Sequence, residues 1–369
     1  MKKVLCAGLA ALMFLTNFGF AGGAKAKDGN ESAAVRTVID HNGDEVVLPA
    51  KIERVVIASL MPLPAVYCLF RGGTHNLVGI PTASMAAAVH SQLVKVYPEI
   101  AKMDTSFTQN GTVNIEQIMN LKPDLILYSA TNKNEREMYK SIGIPAVGFS
   151  FAQYNYDAIK IYESWVKLLG EIFGDTGRSD KIISYAHKVE SLVKERVAKI
   201  PENKKPKCLV FYGCDEKSLK VSGSKMFGQY WIETTGGINV ASELTGTAPV
   251  NMEQIYKWNP EKIFLNNFCA SLPEDLYNNA FKNQDWSTVK AVQIKQVYKY
   301  PLGMYRWCPP SPDIPLSLLW CAKQIQPEVF ADIDMDAEIK KYFKDMYGVN
   351  LTDEGLKEIY NPPREAAMY

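Results

Sequence analysis

The sequence is poor in residues that bind metals directly and in patterns that carry out hydrolysis. Only four histidines occur in 369 residues, and no two cysteines stand at the C-x2-C spacing of a structural metal site. The G-x-S-x-G, H-E-x-x-H and P-loop patterns are missing, so an enzyme would lack an evident nucleophile, base or nucleotide cradle. Lys plus Arg number 41 against 40 Asp plus Glu, without a basic cluster, which excludes the electrostatic footprint of a nucleic-acid binder. Beyond the first residues no apolar run approaches the ~20 residues that cross a bilayer. Low-complexity tracts are absent.

The chain begins with Met1-Lys-Lys and an apolar stretch through Leu15, and small residues come next at Ala24-Lys-Ala26. This is the order of a cleaved signal peptide, expected over residues 1–26, and it predicts a mature chain free in a bacterial periplasm. Six cysteines remain after Cys6. Cys68 and Cys321 fall on apolar helical patterns and read as core, whereas Cys208 and Cys214 bracket a strand and stand up to ~20 Å apart when extended. Cys214, Cys269 and Cys308 each follow a predicted strand. One disulfide plus a buried thiol is the expectation, with a thiolate metal cluster as its alternative.

A fifteen-residue pattern occurs twice. Asn114-Ile-Glu-Gln-Ile-Met-Asn-Leu-Lys-Pro-Asp-Leu-Ile-Leu-Tyr128 returns as Asn251-Met-Glu-Gln-Ile-Tyr-Lys-Trp-Asn-Pro-Glu-Lys-Ile-Phe-Leu265. Each copy reads as a short helix with an Asn and Gln capping box, a Pro stop and an apolar strand. The separation is too long for a solenoid and fits two similar α/β lobes. Both helices carry a glutamate at the second position, Glu116 and Glu253.

The rest of the chain alternates strands and helices, the pattern of parallel sheets covered on both faces. Asn42-Gly43 closes a hairpin over 36–48. Strands are predicted over 54–59, 77–80, 144–149, 207–212 and 293–300. The stretch 178–200, with Ile182, Ala186, Val189 and Val193 in one stripe before Pro201, predicts one helix roughly 31–35 Å long, stiff enough to join the lobes. The expected organisation is an N-terminal lobe over 27–174, a connecting helix over 175–200, a C-terminal lobe over 201–330 and a helical tail over 331–369.

The order of Leu48-Pro-Ala-Lys-Ile-Glu-Arg-Val-Val56, Val78-Gly-Ile80, the first repeat, Gly143-Ile-Pro145, Gly236-Gly-Ile-Asn-Val-Ala241, the second repeat, Trp286-Ser-Thr-Val-Lys-Ala-Val292 and Pro327-Glu-Val-Phe330 resembles the periplasmic substrate-binding proteins of ABC importers for iron-siderophores, haem and cobalamin. The resemblance spans about residues 36–330. It implies an α/β fold of two Rossmann-like lobes joined by one long helix, with the ligand in the cleft between them. It also implies a monomer without enzymatic activity or intrinsic cofactor, whose partners are a permease dimer with its ATPase. Glu116 and Glu253 would meet arginines on that permease. Independently, a carboxylate held outward at a helix start suits bidentate pairing with Arg, although the helix dipole alone also favours it.

A ferric siderophore or similar iron chelate is the expected ligand, with haem, a corrinoid or a nickel or cobalt chelate as alternatives. His41 reads as a hairpin residue and His187 as part of the long helix, so no direct metal site is expected. A chelate calls for aromatic walls and a few polar or cationic groups at the carboxyl ends of strands. Tyr305, Arg306 and Trp307 supply such a mixture after the strand over 293–300. Met61, Ser129, Tyr212 and Phe268 also follow or end strands and complete the expected ligand-binding set. A metal-dependent enzyme and a secreted scaffold are the readings from other classes.

Overall fold

Continuous apolar runs set the first sheet. In the computed structural model, which describes residues 36–109 and 111–367, the strands Leu77–Gly79, Val55–Ile57, Leu125–Ser129 and Ala146–Phe149 lie side by side in that order, all parallel. Val55, Val56, Ile57, Leu125, Ile126 and Leu127 are fully buried, as a sheet covered on both faces requires. The hairpin Arg36–Ile39 and Glu45–Leu48 packs beside them. Its turn is held by Asp40, whose Oδ1 accepts from the amides of Asn42 and Asp44, and Gly43 takes the left-handed conformation the turn requires. The signal-peptide segment lies outside the described residues.

The second sheet is mixed. Its order is Thr247–Val250, Leu219–Ser222, Lys207–Cys214, Lys262–Leu265 and Val297–Lys299, with Ile238–Asn239 added to the start of the third. The last three main strands are parallel, whereas Leu219–Ser222 is antiparallel to both neighbours. Pro249 sits on the outermost strand, where no further ladder bond is needed.

The repeat has the same task in both sheets. Asn114 accepts from the amides of Glu116 and Gln117, and Asn251 from that of Gln254, opening the helices Ile115–Asn120 and Met252–Trp258. Only the Asn half of the expected capping box forms at either copy; at the first, the Asn114 amide donates instead to the carbonyl of Phe107 at 2.8 Å. The acid after each Pro then ties the strand it opens to the strand beside it. The Asp124 carboxylate accepts from the amides of Glu53 and Arg54, and that of Glu261 from the amide of Lys207.

One helix, Thr176–Val197, connects the two sheets, and its 22 residues span about 33 Å. Asp175 caps it, and Ile182, Ala186 and Val193 bury the expected stripe against the helices Ala158–Phe173 and Ile314–Ile325. The predicted strand over 293–300 is shorter than expected, Val297–Lys299. The helix Lys290–Gln293 precedes it and ends through a left-handed Lys295.

The tail is helical over Met335–Tyr347 and again over Asp353–Tyr360. It binds to both lobes. Glu358 takes Gln92 and Lys95 of the first, Arg364 pairs with Asp275 of the second at 2.7 Å, and the Leu302 amide donates to the Ile359 carbonyl. Arg178 of the connecting helix donates to the carbonyl of Met346.

The disulfide expectation is corrected. All six described cysteines are free and buried. The Cys269 thiol points at the carbonyl oxygen of Cys214, 3.5 Å away, and the sulfur of Cys308 accepts from the Asn266 amide. Burial holds the thiols of Cys68, Cys208 and Cys214 far above their ordinary pKa, so they are inert core groups rather than thiolates.

Candidate functional site

The carboxyl ends of both sets of parallel strands open onto one cavity of about 890 Å³. Several loops of the first lobe reach it, among them the segment that carries Thr108, Gly111 and Val113. Ala58 to Pro62 follow the strand Val55–Ile57, Pro81 to Ala83 follow Leu77–Gly79, Ser129 and Thr131 end Leu125–Ser129, and Phe151 follows Ala146–Phe149. From the second lobe come Tyr212, Met226, Phe227, Phe268, Pro309 and Pro310. This is where open α/β sheets bind ligands, because the strand ends leave backbone groups and short loops facing one crevice.

The first-lobe wall is a hydrogen-bonded network. Ser59 Oγ accepts from the Ser129 amide at 2.8 Å and donates to Glu135 Oε2 at 2.6 Å. Asn132 caps the helix Lys133–Ile142 and donates from Nδ2 to Glu135 Oε1 at 2.6 Å. Ser129 and Thr131 hydroxyls share a bond of 3.0 Å, as do those of Thr82 and Thr108 at 2.9 Å. Burial raises the Glu135 carboxyl above its ordinary range, against the lowering effect of these donors. Leu60, also in the lining, adopts φ +70°, a conformation that costs a branched residue about 1–3 kcal/mol and fixes the loop at the cavity.

The second-lobe wall is aromatic. Tyr212 and Phe268 stack with centroids 6.4 Å apart and planes 11° from parallel. Met226, Phe227 and the Pro309-Pro310 pair extend the surface, and Trp165 meets it from the helix Ala158–Phe173. No Lys or Arg lines the cavity among the described residues.

Of the seven expected ligand-binding residues, Met61, Ser129, Tyr212 and Phe268 line this cavity. Tyr305, Arg306 and Trp307 do not, and that expectation is corrected. All three are buried beneath the wall. The Arg306 guanidinium donates to the Ala366 carbonyl at 2.7 Å and to Tyr305 Oη at 2.9 Å, and lies 4.6 Å from the Phe268 ring centre. Trp307 donates to Asp313, which also accepts from the amide of Met304. Gly303 leaves room for this turn, since a Cβ there would strike the Asp313 carboxylate and the Trp307 indole. The aromatic and cationic mixture thus builds the support of the cavity wall. Glu135, Asn132, Thr131, Thr82 and Phe227 were missed by sequence reasoning; the Asn132-to-Glu135 capping spacing just after a buried strand was the signal that could have found the first three, and Thr82 and Phe227 carry no such signal.

No group of three or more His, Cys, Asp or Glu side chains is placed to hold a metal ion among the described residues. His41 Nδ1 accepts from the Ser150 amide at 3.0 Å, and burial holds its imidazole below the ordinary pKa. His187 meets Glu163 on the exposed side of the connecting helix.

Glu116 and Glu253 are exposed, each at the second position of its repeat helix. One turn on, each helix shows an exposed apolar side chain, Met119 at 49% and Tyr256 at 41%.

The family model described as periplasmic binding protein matches residues 55–302. A periplasmic solute-binding protein from Veillonella parvula superposes with a TM-score of 0.80 at 30% identity, covering 89% of this chain and 97% of that one. The molybdate-binding protein MolA of Haemophilus influenzae is 25% identical over 334 residues, 85% of this chain and 91% of its own length. The Fe(3+)-citrate-binding protein YfmC of Bacillus subtilis is 24% identical over 274 residues, 73% of this chain and 79% of its own. With two α/β lobes, a single connecting helix and a cleft at the strand ends, the chain belongs to the periplasmic binding protein family, the solute-binding components that serve the membrane permeases of ABC importers.

Proposed function

We propose that this binding protein captures a ferric siderophore or a similar bulky iron chelate and delivers it to its permease. The observation that carries this reading is the cavity itself. About 890 Å³ lies within the range of sites for organic ligands, roughly 300–1,000 Å³, and far exceeds what a bare ion fills. Its lining supplies aromatic faces, thioethers, hydroxyls, an amide and one carboxylate, a set suited to an organic shell rather than to direct metal ligation. The ferric citrate assigned by name to one relative supports an iron chelate. Haem, a corrinoid and nickel or cobalt chelates have the same general requirements and are the competing ligands.

Molybdate, assigned by name to another relative, is a second reading. The hydroxyls of Thr82, Thr108, Ser129 and Thr131 favour it as donors to an oxyanion. Against it stands the Glu135 carboxylate in a lining without Lys or Arg among the described residues. Thermal unfolding of the purified protein with ferric siderophores, ferric citrate, haem, cobalamin, a nickel chelate and molybdate separates the readings. A ligand at 100 times its Kd adds about 2.7 kcal/mol of stability. Stabilisation by ferric chelates is the expected result; stabilisation by molybdate alone would overturn the chelate reading.

Glu116 and Glu253 serve in this proposal as the docking carboxylates, one from each lobe, for arginines of the permease. Met119 and Tyr256 beside them add apolar surface to the same two faces.

A further inference from the structure

We infer that Glu135 is a specificity-determining residue that makes the cleft select chelates bearing an ammonium or comparable cationic group over anionic ones. The inference rests on the proposed chelate reading and goes further by fixing the ligand's charge. Glu135 is only 6% exposed and belongs to the cavity lining. Its carboxylate takes Ser59 Oγ at 2.6 Å, Asn132 Nδ2 at 2.6 Å and Tyr139 Oη at 3.3 Å, all neutral donors. It makes no ion pair among the described residues. Two arginines, one behind the cavity wall and one next to Glu135 in sequence, are committed elsewhere. Arg306 is held behind Phe268, and Arg136, on the same helix, pairs with Asp44.

A carboxylate in a partly desolvated site costs free energy unless a positive charge meets it, and here the ligand is the group left to bring one. The opposite wall is compatible, because Tyr212 and Phe268 add aromatic surface that accepts apolar ligand arms, although Phe268 already carries the Arg306 guanidinium. Chelate chemistry then divides the candidates. Three hydroxamates neutralise a ferric ion, so a pendant ammonium makes the whole chelate cationic. Three catecholates leave it strongly negative, and such a ligand would face Glu135 without a compensating Lys or Arg in the lining. Ser59 and Asn132 hold the carboxylate in place through the strand end at Ser129 and the helix cap, so its position is built by the fold before any ligand arrives.

Fluorescence titration at neutral pH, with Trp165 of the cavity wall as reporter, tests this with ferrioxamine B, its N-acetylated neutral form and a ferric tricatecholate. The wild-type protein should bind the ammonium form roughly 10- to 100-fold more tightly than the acetylated form, the span of one charge-assisted hydrogen bond. Glu135→Gln should erase that preference, bringing the ratio of the two dissociation constants to about 1. A purely structural role would weaken both forms equally. Equal wild-type affinity for the two hydroxamates, an undiminished preference in Glu135→Gln, or tighter binding of the tricatecholate would overturn the inference and leave the chelate reading intact. If the variant does not fold, equal wild-type affinity for the two hydroxamates still overturns the inference, and Glu135→Asp, which keeps the charge but withdraws it, should reduce the preference. Failure to bind any iron chelate would overturn the proposed function and this inference with it.

Discussion

The two walls of the cleft are built from equivalent strand ends yet differ in chemistry. The first lobe sets the polar groups of Ser59, Thr82, Thr108, Ser129, Thr131, Asn132 and Glu135 among apolar Leu60, Met61, Phe151 and Trp165, whereas the second offers Tyr212, Met226, Phe227, Phe268, Pro309 and Pro310. The repeat explains the shared frame. In each lobe an Asn-capped helix, a Pro and an acid tie one strand to the next, and the loop after the repeat's strand reaches the cavity. Past that strand the two lobes diverge. In the first lobe a capped helix starts almost at once and brings Asn132 and Glu135; in the second, the turn Asn266 to Cys269 presents Phe268 instead. The frame therefore sets where a ligand sits, and the loops set which part of it each wall reads.

The largest effect should come from breaking the likeness of the two lobes on their outer faces. Glu116→Arg or Glu253→Arg is expected to abolish uptake in cells while leaving the Kd of the purified protein unchanged, since charge reversal acts on the permease side only. Normal transport by either variant would remove that glutamate from the docking surface.

Arg306→Ala comes next, and its expected effect falls on stability. The substitution leaves the Ala366 carbonyl without this donor and takes a buried guanidinium from beneath Phe268. A loss of about 3 kcal/mol in denaturant unfolding is expected, the scale of breaking a buried charged hydrogen-bond network. A variant of unchanged stability but reduced affinity would return Arg306 to the ligand.

The contrast between the walls is sharpened by Phe268→Ala and Ser129→Ala. Loss of the stacked ring should weaken binding of an iron chelate roughly 10- to 100-fold, and loss of one hydroxyl roughly 3- to 10-fold, from about 1 kcal/mol per neutral hydrogen bond. Isothermal titration checks the order, and a larger effect at Ser129 would favour a small oxyanion over a chelate.

A last effect is a slope of stability with pH. Burial pushes Asp313 up to about 7, despite its bonds from the amides of Met304 and Tyr305 and from the Trp307 indole. The folded protein thus keeps a proton that the unfolded chain loses near pH 4. This group favours folding below about pH 4, and that contribution is lost as pH rises towards 7, at roughly 1.4 kcal/mol per unit. Unfolding free energies of wild type and Asp313→Asn from pH 4 to 7 should differ by this slope; parallel curves would mean that Asp313 stays ionised in the fold.

The frame was readable in the sequence because its signals are local and periodic. The Asn, Pro and acid of the repeat, the Val55-Val-Ile and Leu125-Ile-Leu runs and the stripe on the connecting helix each carry their own element. The helix Thr82–Ala88, with Ala at four of its seven positions, has no long apolar stripe and escaped notice. The site was legible only in part. Strand-end position suffices to place Met61, Ser129, Tyr212 and Phe268 at the cavity, but it cannot tell a lining residue from one supporting it. Arg306 looks like a ligand-binding cation until the tail folds back and brings the Ala366 carbonyl to it, across 60 residues of chain. Glu135 looks like an ordinary first-turn acid until the strand end at Ser59 meets it across 76 residues.

Whether the cleft takes an iron chelate between a hydroxyl-lined wall and an aromatic one is decided by crystals grown with a ferric trihydroxamate and measured at the iron absorption edge. An anomalous peak is expected inside the cavity, between Ser129 and Thr131 on one side and Tyr212 and Phe268 on the other. An iron peak outside it, or an empty cleft in crystals that carry the chelate elsewhere, would contradict the chelate reading.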